Sequence, residues 1–245
     1  SRFLPYPLNQ LGFVNALLED AFTATHPQAA TSIPAFADAL GVYHSNPRLV
    51  YVPDQAALSP YRGFVSEEVA LLEQRAKRPK EGSMPESYGE GDSPVGRVTF
   101  EGGDDVIGLL RENPWLHHVD QRAMLKARLL DIFIGDWDRH EDQWRFAKLN
   151  LQNGRNLYRP VPEDRDQAFA NYDGFALAMA RIVLPQVRVL RPFKKRIRGL
   201  TWLIYGSRHF DPVMLNRMPQ DEGREVAKEV HQALTDEVIA DRMRT

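Results

Sequence analysis

The chain has 245 residues, of which 43% are hydrophobic and 26% are charged, so it can bury a sizeable core and wholesale disorder is excluded. Its formal net charge of −2 gives no global attraction to nucleic acid or to an anionic membrane. The absence of cysteine excludes disulfides, a thiol nucleophile and thiolate metal sites. No apolar run approaches the roughly 20 residues that a membrane span needs.

The two ends carry no targeting or stop signal. The N-terminus lacks the basic start and apolar stretch of a signal peptide, and the last helical pattern runs into Thr245. We therefore expect both ends to continue in a longer chain, and the compartment, cytoplasm or periplasm, stays open.

The first third of the chain predicts two helices and a small sheet. Apolar residues at helical spacing cover Leu11–Ala24 and Pro34–Leu40, and Gly41 ends the second pattern. The short apolar runs Leu49–Pro53 and Glu68–Glu73 predict two strands of a small antiparallel sheet.

A connector separates this region from the rest. Between Gly82 and Gly96, nine of fifteen residues are Gly, Pro or Ser, which is typical of a flexible linker. The sequence therefore predicts a partial small lobe over residues 1–81, a connector over 82–96 and a large, mainly helical lobe over 97–245.

In the large lobe, helical patterns alternate with one β-hairpin. Asp120 is a plausible N-cap for a helix that ends at Gly135, and Asn153-Gly154 is the turn signal of a hairpin. The hairpin strands are predicted over Gln143–Leu149 and Asn156–Val161. Other helices are predicted over Asp104–Arg111, Phe175–Val183, Thr201–Tyr205 and Glu222–Arg242. The fold class expected from this order is α+β.

The densest polar segment, residues 135–144, lies between the apolar helix and the hairpin. Its chemically active side chains occupy alternate positions: Asp136, Asp138, His140 and Asp142. We assign the tryptophans at 137, 144 and 202 to packing, although an indole can stack on a base. An alternative for the aspartates is that they only cap turns and end the preceding helix.

A second acidic segment, Pro162–Phe169, follows the second hairpin strand directly. The hairpin returns it beside the first segment, so Asp138 and Asp164 are expected to be neighbours although they are 26 residues apart. Two carboxylate loops on rigid supports suit phosphoryl transfer, in which one carboxylate orients a hydroxyl and another holds magnesium.

The two segments also resemble a known family. Asp138-Arg139-His140, followed by Gln143, resembles the D-R-H-x-x-N catalytic loop of phosphoinositide-type and other atypical kinases. Pro162–Phe169 resembles the P-x-D-x-D metal segment of the spore-coat CotH kinases, with the metal aspartate of HipA-like kinases falling at Asp164. The resemblance implies a two-lobed kinase-like domain with a truncated small lobe.

The resemblance implies roles for the residues of both segments. Asp138 takes the position of the catalytic aspartate, and Arg139 and His140 would brace its loop. Gln143 takes the position of the metal-binding asparagine, beside the nucleotide. Asp164, together with Asp166, would hold Mg²⁺.

The nucleotide would be ATP in such an enzyme. Its adenine would bind at the hinge that Glu73 begins, and the reaction would transfer the terminal phosphoryl group to a hydroxyl of an unidentified acceptor.

Two alternatives remain open. A kinase-derived module without catalysis is favoured by glutamine at position 143, by the absence of any lysine before Lys77 and by the lack of a Gly-rich loop before the first strand. A metal-dependent phosphohydrolase would use the same carboxylates to activate water.

A basic stretch lies outside these segments. Between Arg188 and Arg198, six of eleven residues are positively charged, which suits an acidic or phosphorylated partner. The alternative interpretation is a solvated helix face.

Overall fold

The structure, a computed structural model, describes residues 24–26, 28–73, 99–151 and 153–243. Within these ranges the helices are α1 (Ala29–Leu40), α2 (Arg62–Val65), α3 (Gly103–Glu112), α4 (Gln121–Ile134), α5 (Phe175–Val183), α6 (Leu200–Leu203), α7 (Asp211–Met214), α8 (Gln220–Ala233) and α9 (Asp236–Arg242). The strands are β1 (Arg48–Val52), β2 (Glu68–Leu72), β3 (Thr99–Gly102), β4 (His117–Val119), β5 (Trp144–Asn150) and β6 (Asn156–Pro162). This content confirms the α+β class.

Some predictions fall on other parts of the chain. Residues 11–23 of the first predicted helix and the predicted connector over 82–96 lie outside the described residues. In the described part, no helix combines the length and the apolar character that a bilayer crossing requires.

The N-terminal elements follow the prediction closely. Helix α1 ends at Gly41, whose φ of 64° is left-handed and therefore suits glycine. Strands β1 and β2 pair antiparallel, with Arg48 opposite Leu72, and form the small sheet.

The larger sheet contains the predicted hairpin at its centre. Its strand order is β3-β5-β6-β4, and the β5–β6 turn includes Gly154 with a φ of 78°. The sequence did not predict β3 and β4, because four and three residues are too few to display an alternating pattern.

Helix α4 provides the core that supports the larger sheet. The Asp120 carboxylate accepts a hydrogen bond from the Ala123 amide at 3.0 Å, and Gly135 ends the helix with a φ of 74°. One face of α4 is buried against the sheet, α1 and the helices of the C-terminal region. The buried apolar residues of that face are Met124, Ala127, Leu130 and Ile134.

The single helix predicted over Glu222–Arg242 was wrong. Helix α8 ends at Ala233, and Thr235 begins α9 by accepting a hydrogen bond from the Val238 amide at 3.3 Å. A threonine hydroxyl that caps a new helix competes with the backbone hydrogen bonds that would continue the preceding one. The apolar periodicity alone does not reveal this break.

A glycine at the start of α3 allows that helix to touch the polar segment before β5. A Cβ atom at Gly103 would lie 2.4 Å from the Glu141 carbonyl oxygen, a backbone atom that cannot rotate away. We expect Gly103→Ala to lower the free energy of unfolding by about 1–3 kcal/mol.

The matched control is Gly108→Ala in the same helix, where the added Cβ meets nothing within 4 Å. That change should raise the free energy of unfolding by about 0.5–1 kcal/mol. Chemical denaturation of both variants makes the comparison, and equal effects would contradict the contact at Gly103.

Candidate functional site

The hairpin register brings the two acidic segments together. Strands β5 and β6 pair with Trp144 opposite Pro162, so the segments before β5 and after β6 leave the hairpin at the same end. We call residues 135–143 loop A and residues 163–169 loop B. The Glu163 amide donates to the Gln143 carbonyl at 2.9 Å, which extends the pairing by one step into both loops.

Arg139 of loop A binds the backbone of loop B. Its fully buried guanidinium donates from Nη1 to the carbonyls of Glu163 at 2.6 Å and Asp164 at 3.2 Å. Nη2 donates to the Gln143 carbonyl at 3.3 Å, and the guanidinium lies 5.0 Å from the Trp144 ring centroid. Arg139 thus joins loop A to loop B by direct contacts, and Trp144 packs against its guanidinium.

A buried ionic network, which the sequence did not predict, supports both loops from below. Asp131 of α4 is fully buried and accepts from Arg128 Nη1 at 2.8 Å and from Arg165 Nη2 at 3.1 Å. Its Oδ2 also lies 3.4 Å from Arg139 Nε. One carboxylate therefore connects helix α4 to loop A and to loop B.

The first aspartate of loop A is structural. Asp136 is buried, accepts from the Asp138 amide at 3.2 Å and lies 3.5 Å from Arg139 Nη1. Burial raises the pKa of its carboxyl group. The turn-capping interpretation thus holds for this aspartate.

Asp138, unlike Asp136, is partly exposed to solvent. Its side chain is 25% exposed, and its Oδ1 lies 4.0 Å from His140 Nε2. Burial raises the pKa of Asp138, and the charge of Asp164 adds to the increase, while His140 and Arg139 oppose it.

His140 acts within loop A. Its Nδ1 accepts from the Asp142 amide at 3.3 Å and caps the single 3-10 turn over Glu141–Gln143. The ring is 31% exposed, so it shapes the loop from its surface, in contrast to the buried Arg139.

Asp164 and Gln143 are in direct contact. Gln143 Nε2 donates to Asp164 Oδ2 at 3.2 Å. Asp164 has a φ of 55°, a left-handed conformation that is uncommon for a residue other than glycine. Such backbone conformations persist where surrounding contacts fix them, and they cluster at functional sites.

Asp166 completes a group of carboxylates with Asp138 and Asp164. Partial desolvation, and then the negative charge of Asp164, raise the pKa of Asp166 to about 6, although its side chain reaches solvent. Arg165, between the two aspartates, turns inward to Asp131. Loop B thus presents the carboxylates of Asp164 and Asp166 to solvent and keeps its guanidinium in the core.

A cleft of about 220 Å³ opens beside these loops and is lined by Glu73, Gln143, Glu163 and Asp164. Glu73 follows β2 and accepts a hydrogen bond from the Ser45 hydroxyl. Burial raises the pKa of Glu73, and the charges of Glu163 and Asp164 add to the increase. Glu73 therefore lines the same cleft as two of the three predicted metal residues, Gln143 and Asp164, whereas Asp166 does not line it.

The donor set suits magnesium chemically. Mg²⁺ prefers oxygen ligands and is usually held by one or two carboxylates together with substrate phosphates. Asp164 and Asp166 provide two carboxylates that repel each other, which a cation relieves. Among the described residues, no group of three or more His, Asp and Glu side chains could hold a metal ion without further ligands.

The basic stretch is irregular, so the helix-face interpretation was wrong. After a 3-10 turn over Pro185–Val189, residues 190–199 form no helix or strand. Arg188 donates to the Arg181 carbonyl at 2.9 Å, and Arg191 donates to the Arg188 carbonyl at 3.0 Å. The exposed cations that remain are Lys194, Lys195, Arg196 and Arg198.

Comparison with known proteins gives little further information. No family model and no curated protein matches the chain. Among solved structures it is similar to HipA of Shewanella oneidensis, from a toxin–antitoxin complex of HipA, HipB and its operator DNA, with 16% identity and a TM-score of 0.28. The match covers 84% of this chain and 54% of that one, so the chain spans about half the length of that structure. A TM-score of 0.28 is too low to assign the fold.

Proposed function

We propose that this chain is a kinase-like phosphotransferase that moves the terminal phosphoryl group of ATP to a hydroxyl acceptor with Mg²⁺. The observation that carries the proposal is the Arg139 guanidinium, which ties the Asp138 loop to the backbone of Glu163 and Asp164. Phosphoryl transfer depends mainly on positioning and on electrostatic stabilisation, so two carboxylate loops held by one buried group suit it.

Within this proposal the two loops divide the work. Asp138 orients the acceptor hydroxyl and accepts its proton. Burial raises the pKa of Asp138, and the positive charge of Arg139 limits that increase. Asp164 and Asp166 hold the metal, and Gln143 lies beside them. When bound, Mg²⁺ supplies charge neutralisation at the phosphate oxygens.

The charge of the cleft makes a direct test possible. Glu73, Glu163 and Asp164 line it, and three carboxyl groups oppose the approach of a triphosphate unless a cation lies between them. Calorimetric titration with ATP should therefore give at least about tenfold tighter binding with Mg²⁺ than with EDTA. Binding that is indifferent to Mg²⁺, or no binding in either case, would count against the proposal.

The pKa of Asp166 predicts how that binding depends on pH. A carboxyl group with a pKa of about 6 is ionised at pH 7.5 and mostly protonated at pH 5, and the metal needs the ionised form. The Mg²⁺-dependent affinity should fall as pH drops through 6, by about tenfold per pH unit below it if this group alone governs binding. In Asp166→Asn the affinity should be weaker at pH 7.5 and should fall less between pH 7.5 and pH 5 than in the wild type, since only protonation of the ATP phosphate then remains.

One contact favours a second candidate function, a binding module without catalysis. The Gln143 amide nitrogen, not an oxygen, faces the Asp164 carboxylate, and this hydrogen bond competes with metal coordination. A binding module would retain ATP affinity and would not transfer phosphate, and its affinity would not depend on Asp138. A phosphohydrolase would instead release phosphate from simple phosphomonoesters without ATP.

A further inference from the structure

Positive charge is concentrated in one part of a nearly neutral protein. Residues 167–210 contain eight arginines and lysines and a single acidic residue, Asp173, whereas the whole chain has a net charge of −2. This segment includes helix α5 and the irregular region that follows the 3-10 turn. Charge is therefore distributed unevenly along the chain, although its total is close to zero.

Helix α5 exposes an apolar stripe on the side away from its own core. Leu177 and Ala180 are buried, while Phe175 is 82% exposed and Ile182 is 67% exposed. Met179 and Val183 are also exposed and complete the i, i+4, i+7, i+8 spacing of a single face. Isolated exposed apolar residues are ordinary, but a continuous stripe of large ones marks an interaction surface.

The irregular segment 193–200 carries the same two kinds of group. Ile197 and, at the first position of α6, Leu200 are exposed apolar residues, and they alternate with exposed cations. The cations are Lys194, Lys195, Arg196 and Arg198. Helix α5 is tied to the chain that leads into this segment, because the Arg181 side chain donates to the Leu190 carbonyl at 2.6 Å.

We propose that the α5 stripe and segment 193–200 form a surface that binds anionic lipid bilayers. Exposed cations attract acidic headgroups, and apolar side chains beside them enter the boundary between headgroups and acyl chains. Lipid headgroups have no fixed positions in a bilayer, so a bilayer can contact cations and apolar groups that alternate along an irregular segment. An acidic protein would need carboxylates placed to match each cation, which makes it the less favoured occupant.

Co-sedimentation with lipid vesicles tests this surface independently of any catalytic activity. The protein should bind phosphatidylcholine vesicles that contain about 30% phosphatidylserine, should bind pure phosphatidylcholine at least tenfold more weakly, and should be released at about 1 M salt. Each cation near an anionic surface contributes about a fivefold increase in affinity. K194E/K195E should therefore weaken binding by at least 25-fold.

Two matched controls separate this surface from general effects of charge and hydrophobicity. R224E/K228E makes the same change of charge on exposed residues of α8 and should retain most of the binding. Phe175→Ser should weaken binding by about tenfold, whereas Phe64→Ser, at a residue 85% exposed on α2, should not. No binding to the anionic vesicles, or equal losses in the variants and their controls, would overturn the proposal.

Discussion

Asp131→Asn should lower the free energy of unfolding by about 3–5 kcal/mol, the largest effect on stability that we expect from a single substitution here. The carboxylate is fully buried and is shared by Arg128, Arg139 and Arg165. Removing its charge takes from the buried Arg165 its carboxylate partner within the described structure, whereas Arg128 and Arg139 keep Asp211 and Asp136. Arg165 already has no hydrogen-bond partner there for its Nε and Nη1. In a domain of this size the midpoint of thermal unfolding should fall by roughly 10 °C.

The control for this substitution is Asp241→Asn on helix α9, where the side chain is exposed. A surface change of this kind should alter stability by no more than about 0.5 kcal/mol. Urea denaturation of both variants measures the difference. A loss below about 1 kcal/mol for Asp131→Asn would contradict the view that its charge holds the two loops on helix α4.

Asp138→Asn should reduce the rate of phosphoryl transfer by about 10²–10⁴-fold, the range attributed to general acid–base catalysis. The proposed role of this carboxylate is to orient the acceptor hydroxyl, and metal binding is assigned to loop B. Affinity for magnesium-ATP should therefore stay within about threefold of the wild type. Because burial raises the pKa of Asp138, removing its charge should leave stability at pH 7 unchanged or slightly higher.

Asp142→Asn is the matched control in loop A, because its side chain is 64% exposed. Transfer of labelled phosphate from ATP, followed together with nucleotide affinity, compares the two variants. No phosphate transfer by the wild type, together with an ATP affinity that Asp138→Asn leaves unchanged, would assign the chain to the binding-module alternative. Equal, measurable transfer by the wild type and Asp138→Asn would contradict the role proposed for Asp138. Loss of ATP affinity together with activity would contradict the division of roles between the loops.

The hairpin explains why the convergence of the loops could be predicted from the sequence. Asn153-Gly154 fixes the turn, and the apolar patterns on both sides fix the strands, so their outer ends must meet. The neighbourhood of Asp138 and Asp164 then follows from connectivity alone. Helix α4 could also be predicted, because Asp120 is a strong signal for the start of a helix and Gly135 for its end.

The buried ionic network around Asp131 could not be predicted in this way. In the sequence Asp131 only interrupts an apolar run, and Arg165 resembles one more surface charge among aspartates. Both can be buried because the Arg165 guanidinium donates a hydrogen bond to the Asp131 carboxylate. The two residues are 34 positions apart, so no local sequence pattern indicates this pair. A charged residue at a core position of a predicted helix was the one available signal.

The basic stretch shows a similar limit. Its composition predicted a charged surface, but six cations in eleven residues do not reveal which of them serve the fold. Arg188 and Arg191 are occupied by backbone carbonyls, and this depends on the path of the irregular segment. The exposed stripe on α5 was also missed, because an apolar periodicity is ordinarily assigned to the core.

The central claim is that the two acidic loops meet at one divalent ion, and crystals grown with Mn²⁺ and a non-hydrolysable ATP analogue test it most directly. Manganese replaces magnesium at oxygen sites and can be located by its anomalous scattering. We expect a peak within about 2.5 Å of carboxylate oxygens of Asp164 and Asp166, with the terminal phosphate of the analogue between that ion and Asp138. A nucleotide bound elsewhere, or a metal peak remote from both loops, would contradict the account.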